Sequence, residues 1–162
     1  MPVGVSAITA LANLTLGSAQ ATVTFSSIST AYRDLRLVVT GTSTGAPFFR
    51  INGDTTTKYN LVAIEGNTTS VQPTFTLDND RAYSAWNISA FDSGGVGTWN
   101  CDFFDYAQTD KHKLALTRLT LEKATSLFHY RWANTAAITS IAFTSSTTWG
   151  AGTTFTLYGL SA

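Results

Sequence analysis

Apolar residues recur at every second position through much of this chain, the period of an extended strand with one buried face. Val23 and Phe25 alternate with Thr22, Thr24 and Ser26, and Leu35, Leu37 and Val39 with Arg36, Val38 and Thr40. Trp99, Cys101 and Phe103 alternate with Asn100, Asp102 and Phe104. Leu119 and Leu121 do so with Thr120 and Glu122, and Phe128, Tyr130 and Trp132 with His129 and Arg131. Ile141 and Phe143 alternate with Ser140 and Thr144; Phe155 and Leu157 alternate with Thr154, Thr156 and Tyr158. No 3.6-residue period persists beyond two turns. Of the 162 residues, 28 are Thr and 15 are Ser. β-Branched Thr fits a pleated surface, and the hydroxyls supply the polar faces. Charge cannot supply them, since only 12% of residues are charged, about half the usual share of roughly 25%.

Other stretches are less regular. Tyr59 to Ile64 is a short apolar run closed by Glu65-Gly66-Asn67. Val71 to Leu77 contains Pro73, which predicts an edge strand or an irregular segment. Ala85 to Phe91 leans towards strand. The apolar parity switches between Leu116 and Leu119, which predicts a β-bulge near Thr117-Arg118. Asn52-Gly53 is a strong turn signal, and Ser93-Gly94-Gly95 breaks the chain. Eight to ten short strands joined in this way predict an all-β fold: an antiparallel two-sheet β-sandwich, jelly-roll-like, with one core between the sheets. The expected organisation is a single domain over residues 13–162, preceded by an N-terminal arm over residues 1–12 that lacks clean alternation.

The residues that carry chemistry are sparse. Ten Lys and Arg balance ten Asp and Glu, so no basic field draws nucleic acid or an anionic membrane. No apolar run is long enough for a membrane helix. The single cysteine, Cys101, allows no internal disulfide and no cysteine-based zinc site. No signal-peptide pattern opens the chain, so folding in a reducing cytoplasm is expected. His112 lies between Lys111 and Lys113 in what reads as a solvated charge cluster, and His129 lies on the polar side of its strand. Neither has a nucleophile beside it in the pattern. Asp78-Asn79-Asp80 reads as a turn rather than a calcium loop. Asp102 and Asp105 fall on opposite faces of one strand, so they do not converge as an acid–base pair. Gly94-Gly95-Val96-Gly97 lacks the Lys-Ser/Thr of a phosphate cradle. No catalytic residue, metal ligand or cofactor is expected. Among 20 aromatic residues, Tyr83, Trp86, Phe91 and Trp149 lie near loops and are the candidates for exposed contacts with a partner or a sugar.

Several stretches in fixed order carry a resemblance. Ala21-Thr22-Val23-Thr24-Phe25 leads into Tyr32-Arg33-Asp34-Leu35-Arg36-Leu37. Arg50-Ile51-Asn52-Gly53-Asp54 and Tyr59-Asn60 follow, then Asp105-Tyr106-Ala107, Arg131-Trp132 and Ala136-Ala137-Ile138-Thr139-Ser140-Ile141. The chain closes on Gly152-Thr153-Thr154-Phe155-Thr156-Leu157-Tyr158-Gly159-Leu160. This order resembles a group of virion structural proteins of tailed bacteriophages, common in aquatic phages, over about residues 14 to 160. The resemblance implies a β-sandwich on the phage particle with no enzymatic activity. A capsid decoration or cement protein on the outer surface is the first expectation, and a tail-associated or fibre protein that binds a glycan receptor is the alternative. Its partners would be further copies of itself, as a homotrimer, and other virion proteins such as the major capsid protein. Assembly would take place in the host cytoplasm. Pro2, Val3, Val5 and Ile8 are the candidate residues by which the arm anchors to a neighbour or to the shell.

Overall fold

A computed structural model of the chain describes residues 8–67, 69–83, 95–122 and 124–161. These form twelve strands, more than the eight to ten expected: β1 (Ile8–Thr15), β2 (Gln20–Phe25), β3 (Asp34–Thr42), β4 (Pro47–Ile51), β5 (Tyr59–Asn67) and β6 (Val71–Asn79), then β7 (Ala82–Tyr83), β8 (Val96–Phe104), β9 (Lys113–Leu121), β10 (Ala124–Trp132), β11 (Ile141–Trp149) and β12 (Thr154–Leu160). They pair antiparallel into two sheets. The larger has eight strands in the order β1-β12-β3-β8-β9-β10-β5-β6, and the smaller has four in the order β2-β11-β4-β7. The fold is a jelly-roll-like β-sandwich. The segment Ala85 to Phe91 lies outside the described residues.

The alternating residues meet between the sheets. Phe49 of the small sheet lies 5.3 Å from the Phe103 ring and 5.1 Å from the Tyr130 ring. Phe143 stands 4.2 Å from Trp99 and 5.5 Å from Trp149. These separations and tilts are those at which aromatic pairs attract beyond simple burial.

Asn52 and Gly53 both take positive φ, 51° and 66°, as a tight turn at Asn-Gly requires. Yet the strands flanking the turn do not pair with each other. β4 belongs to the small sheet and β5 to the large one, so the turn is a corner between sheets. The Asn52 side chain holds it. Its Oδ1 accepts from the amides of Thr139 and Ser140 at 2.9 and 3.0 Å, and its Nδ2 donates to the Ala137 carbonyl at 2.8 Å. Trp132 Nε1 donates to the Asp54 carboxylate at 2.8 Å, and the Ile51 amide donates to the Tyr59 hydroxyl at 2.9 Å.

Three expectations are corrected by the strand geometry. The first concerns the arm, because residues 8–12 belong to β1 and pair with β12 from Ile8↔Leu160 onwards. The second concerns the bulge near Thr117-Arg118. β9 pairs in unbroken register with β8 and β10, and Lys113, Ala115, Thr117, Leu119 and Leu121 all point inward. The parity switch arises because Leu114 and Leu116 lie on the opposite, outer face. The third concerns Lys113, which is 1% exposed rather than solvated. Its ammonium donates to the Gln108 carbonyl and, at 2.9 and 3.0 Å, to the carbonyls of Lys111 and Thr135. Pro73 sits in β6, an edge strand of the large sheet, where a missing N–H is tolerated.

Candidate functional site

The large sheet has one face against the core and one face outward, and the outward face divides in two. Across β12, β3, β8 and β9 it is mostly polar, with Val96, Phe104 and Leu114 exposed among the polar side chains. Asp102 is clasped there between Arg36 at 2.5 Å and Arg118 at 3.1 Å. Its partners in register are Arg36 and Leu116, and Tyr158 lies level with it beyond Arg36. The ion pair spans three adjacent strands, and the Asp102 hydrogen bond raises the Arg36 pKa. Asp105 is separate from it, in the turn after β8, where it meets Lys111 at 3.1 Å. The two carboxylates do not converge.

Across β5 and β6 the outward face is mainly apolar, and β10 beside them adds Leu127 among Thr125, His129 and Arg131. Val62 is 61% exposed, Phe75 74% and Leu77 65%; Ile64, Val71 and Leu127 are exposed with them. Val62 lies between His129 on β10 and Phe75 on β6, and Ile64 between Leu127 and Pro73. Leu114 continues the patch onto β9. Large contiguous apolar patches are uncommon on free monomers and mark surfaces that meet another macromolecule. β6 is also an edge, where proteins usually place charge to prevent adhesion. From Val71 to Leu77 it carries none. At one end of the patch Asn60, Val62, Leu77, Asp78, His129 and Arg131 line a groove of about 340 Å³.

The expected site residues scatter relative to this face. Ile8 is half exposed on β1, at the other edge of the large sheet. Pro2, Val3, Val5, Trp86 and Phe91 lie outside the described residues. Tyr83 is half-buried in β7; its carbonyl accepts from the Tyr130 hydroxyl at 2.5 Å, and the Arg81 guanidinium lies 5.4 Å from its ring centre. Trp149 is corrected. It is 1% exposed, because β11 runs on to residue 149 and points the indole between Trp99, Phe143 and Phe155. It offers no platform to a sugar.

The reactive side chains are tied up in structure. Cys101 is fully buried, and burial pushes its thiol well above the ordinary value, which disfavours the nucleophilic thiolate. His112 and His129 are exposed. Asp80 closes the turn before β7 by pairing with Arg81 at 2.5 Å and Arg50 at 2.8 Å. The Arg81 hydrogen bond, with Arg50 adding to it, holds the Asp80 carboxyl down at about 2. Among the described residues no group of three His, Cys, Asp or Glu side chains could hold a metal ion, and no helix is long and apolar enough to cross a membrane.

No family model matches the chain, and no curated protein matches it. Solved structures of similar fold include the galectin LEC-6 of Caenorhabditis elegans, at 10% identity over 93% of this chain and 96% of that one, with a TM-score of 0.37. The alginate lyase Aly36B is 11% identical over 91% of this chain and 77% of its own, with a TM-score of 0.34. Lectin I-B4 of Griffonia simplicifolia is 7% identical over 85% and 78%, with a TM-score of 0.28. At such identities and TM-scores no residue correspondence and no role follows from them. The same architecture serves unrelated functions.

Proposed function

We propose that this chain is a non-enzymatic structural protein of a tailed-bacteriophage particle, a capsid decoration or cement protein on the outer surface. The observation that carries an assembly role is the apolar half of the outer sheet face, with Val62, Ile64, Phe75 and Leu77 in the open. Such a face marks a surface that meets another macromolecule, and burial against a partner adds to stability when the partner binds only the folded chain. The order of sequence motifs across the chain supplies the phage assignment. The burial of Cys101, the chain's single thiol, fits a particle protein assembled in a reducing compartment and stabilised by packing. Its partners in this reading are further copies of itself and the major capsid protein. The alternative of a glycan-binding fibre protein loses one of its proposed aromatic contacts with the burial of Trp149.

Immunogold labelling of intact virions with an antibody to the protein tests the reading. Gold spread over the icosahedral head is the expected result. Gold confined to the tail would replace decoration by the fibre role, and particles without gold, from which western blotting also fails to detect the protein, would end the virion assignment.

A further inference from the structure

We propose that two copies of this chain pack face to face through the apolar half of the large sheet, about a two-fold axis that runs along β5. The proposal rests on the assembly reading above and names the first partner of that surface. β5 lies between β10 and β6, and the register sets their outward residues in level rows. His129 and Phe75 flank Val62, and Leu127 and Pro73 flank Ile64. One row further along, Arg131 stands beside Asn60 on the β10 side. Leu77 and Asp78 together stand opposite Asn60 on the β6 side, in the irregularity between the Leu61↔Thr76 and Tyr59↔Asn79 pairs. Both line the groove at this end of the patch.

A half-turn about β5 keeps every row at its own level and exchanges the two sides. It sets Arg131 of each copy over Asp78 of the other, and Phe75 of each over His129 of the other. Val62 and Ile64 meet their own counterparts on the axis. The face is therefore self-complementary, as a two-fold contact requires. Among the described residues neither Arg131 nor Asp78 has an ion pair within its own chain, so both are available to a second copy. An axis between β5 and β10 would set Asp78 over Leu114 instead and leave the charges unmatched.

Val62, Ile64, Val71, Phe75, Leu77 and Leu127 are each 44–74% exposed, and a standard interface covers about 800 Å² per partner. The rim of Arg131, Asp78, His129 and Thr125 adds polar area. Two flat sheet faces can stack about 10 Å apart, as they do inside a sandwich. Charge matching at the rim fixes the register of the contact more than it adds affinity. This geometry makes a dimer. The trimer anticipated from the sequence would need a head-to-tail contact elsewhere.

Sedimentation equilibrium of the purified protein tests this, with unfolding midpoints measured alongside. The wild type is expected at twice the chain mass. Arg131→Asp and Asp78→Arg should each weaken the dimer at least about tenfold, since each sets like charges face to face. The double variant carrying both changes should return to the wild-type mass, because each exchanged charge again meets its opposite. Phe75→Glu should give monomers whose unfolding midpoint equals that of the wild type at a dilution where it too is monomeric. A monomeric wild type, a trimer, or a dimer indifferent to the swaps would overturn the contact. If the swaps fail while gold still decorates the virion, the two-fold contact falls and the particle role stands. If the swaps behave on a protein absent from virions, the contact stands and the particle role falls.

Discussion

Phe143→Ala is expected to remove about 3–5 kcal/mol from the free energy of unfolding, the cost of emptying a buried aromatic site that cannot collapse. Phe143 is fully buried on β11. Its ring touches those of Phe49, Trp99, Trp149 and Phe155, which come from both sheets. Among the described residues no other side chain bridges so many aromatic partners in the core. The void would lie between two sheets held apart by their own hydrogen-bonded ladders, so the surrounding rings have little freedom to close it. A domain of this size has a total stability of about 5–15 kcal/mol, and the variant should therefore be marginal at body temperature. Its midpoint in urea, compared with the wild type at the same slope, reads the effect. A loss below about 1 kcal/mol would mean that the sheets re-pack around the gap.

Lys113→Met should cost about 2–4 kcal/mol although it replaces a buried charge by an apolar chain of similar length. Burial, with the charge of Lys111 adding to it, lowers the Lys113 pKa, and a buried ion pair can often be replaced by apolar residues without loss. The ammonium here is not one of a pair. It satisfies three backbone carbonyls, those of Gln108, Lys111 and Thr135, and these belong to two separate loops. Methionine leaves all three carbonyls without that donor, and carbonyls cannot be mutated away. Unfolding midpoints should fall, and amide exchange should quicken at Gln108 and Ile138, whose N–H groups bond to Asp105 and Tyr106 in the same loops. A methionine variant as stable as the wild type would mean that water replaces the ammonium.

The period-two pattern made most strands legible, because one buried face imposes it. It was least informative where both faces of a strand are apolar. In β5, Tyr59, Leu61 and Ala63 point to the core while Val62 and Ile64 point outward, so the run reads as undivided. Strands covered on both sides look like this, and Tyr59 to Ile64 therefore carried a signal of a second, external cover. In β6 the outward Val71, Phe75 and Leu77 alternate with Gln72, Thr74 and Thr76. That pattern names a buried face without saying whose core it belongs to. Trp149 was misplaced because the four residues before it, Ser145 to Thr148, are all polar and hide the end of β11. Lys113 was misplaced because lysine near His112 and Lys111 looks solvated, and no local pattern announces that the carbonyls of Gln108 and Lys111 converge on it with that of distant Thr135. The Asp102 clasp depends on Arg36 and Arg118 from different strands, which strand order alone brings together.

The outer apolar face is the centre of this account, and its cover can be measured directly. Hydroxyl-radical footprinting compares the oxidation of Phe75 and Leu77 in the protein at assembly concentration with that in a highly diluted sample. In a lone chain these side chains are 74% and 65% exposed and should oxidise as fast as in an unfolded peptide. The account predicts that both become several-fold slower when the protein is concentrated, while Tyr158, on the polar half, keeps its rate. Equal rates for Phe75 and Leu77 in the two samples would show that the face stays in water in the isolated protein and contradict its cover by a second copy.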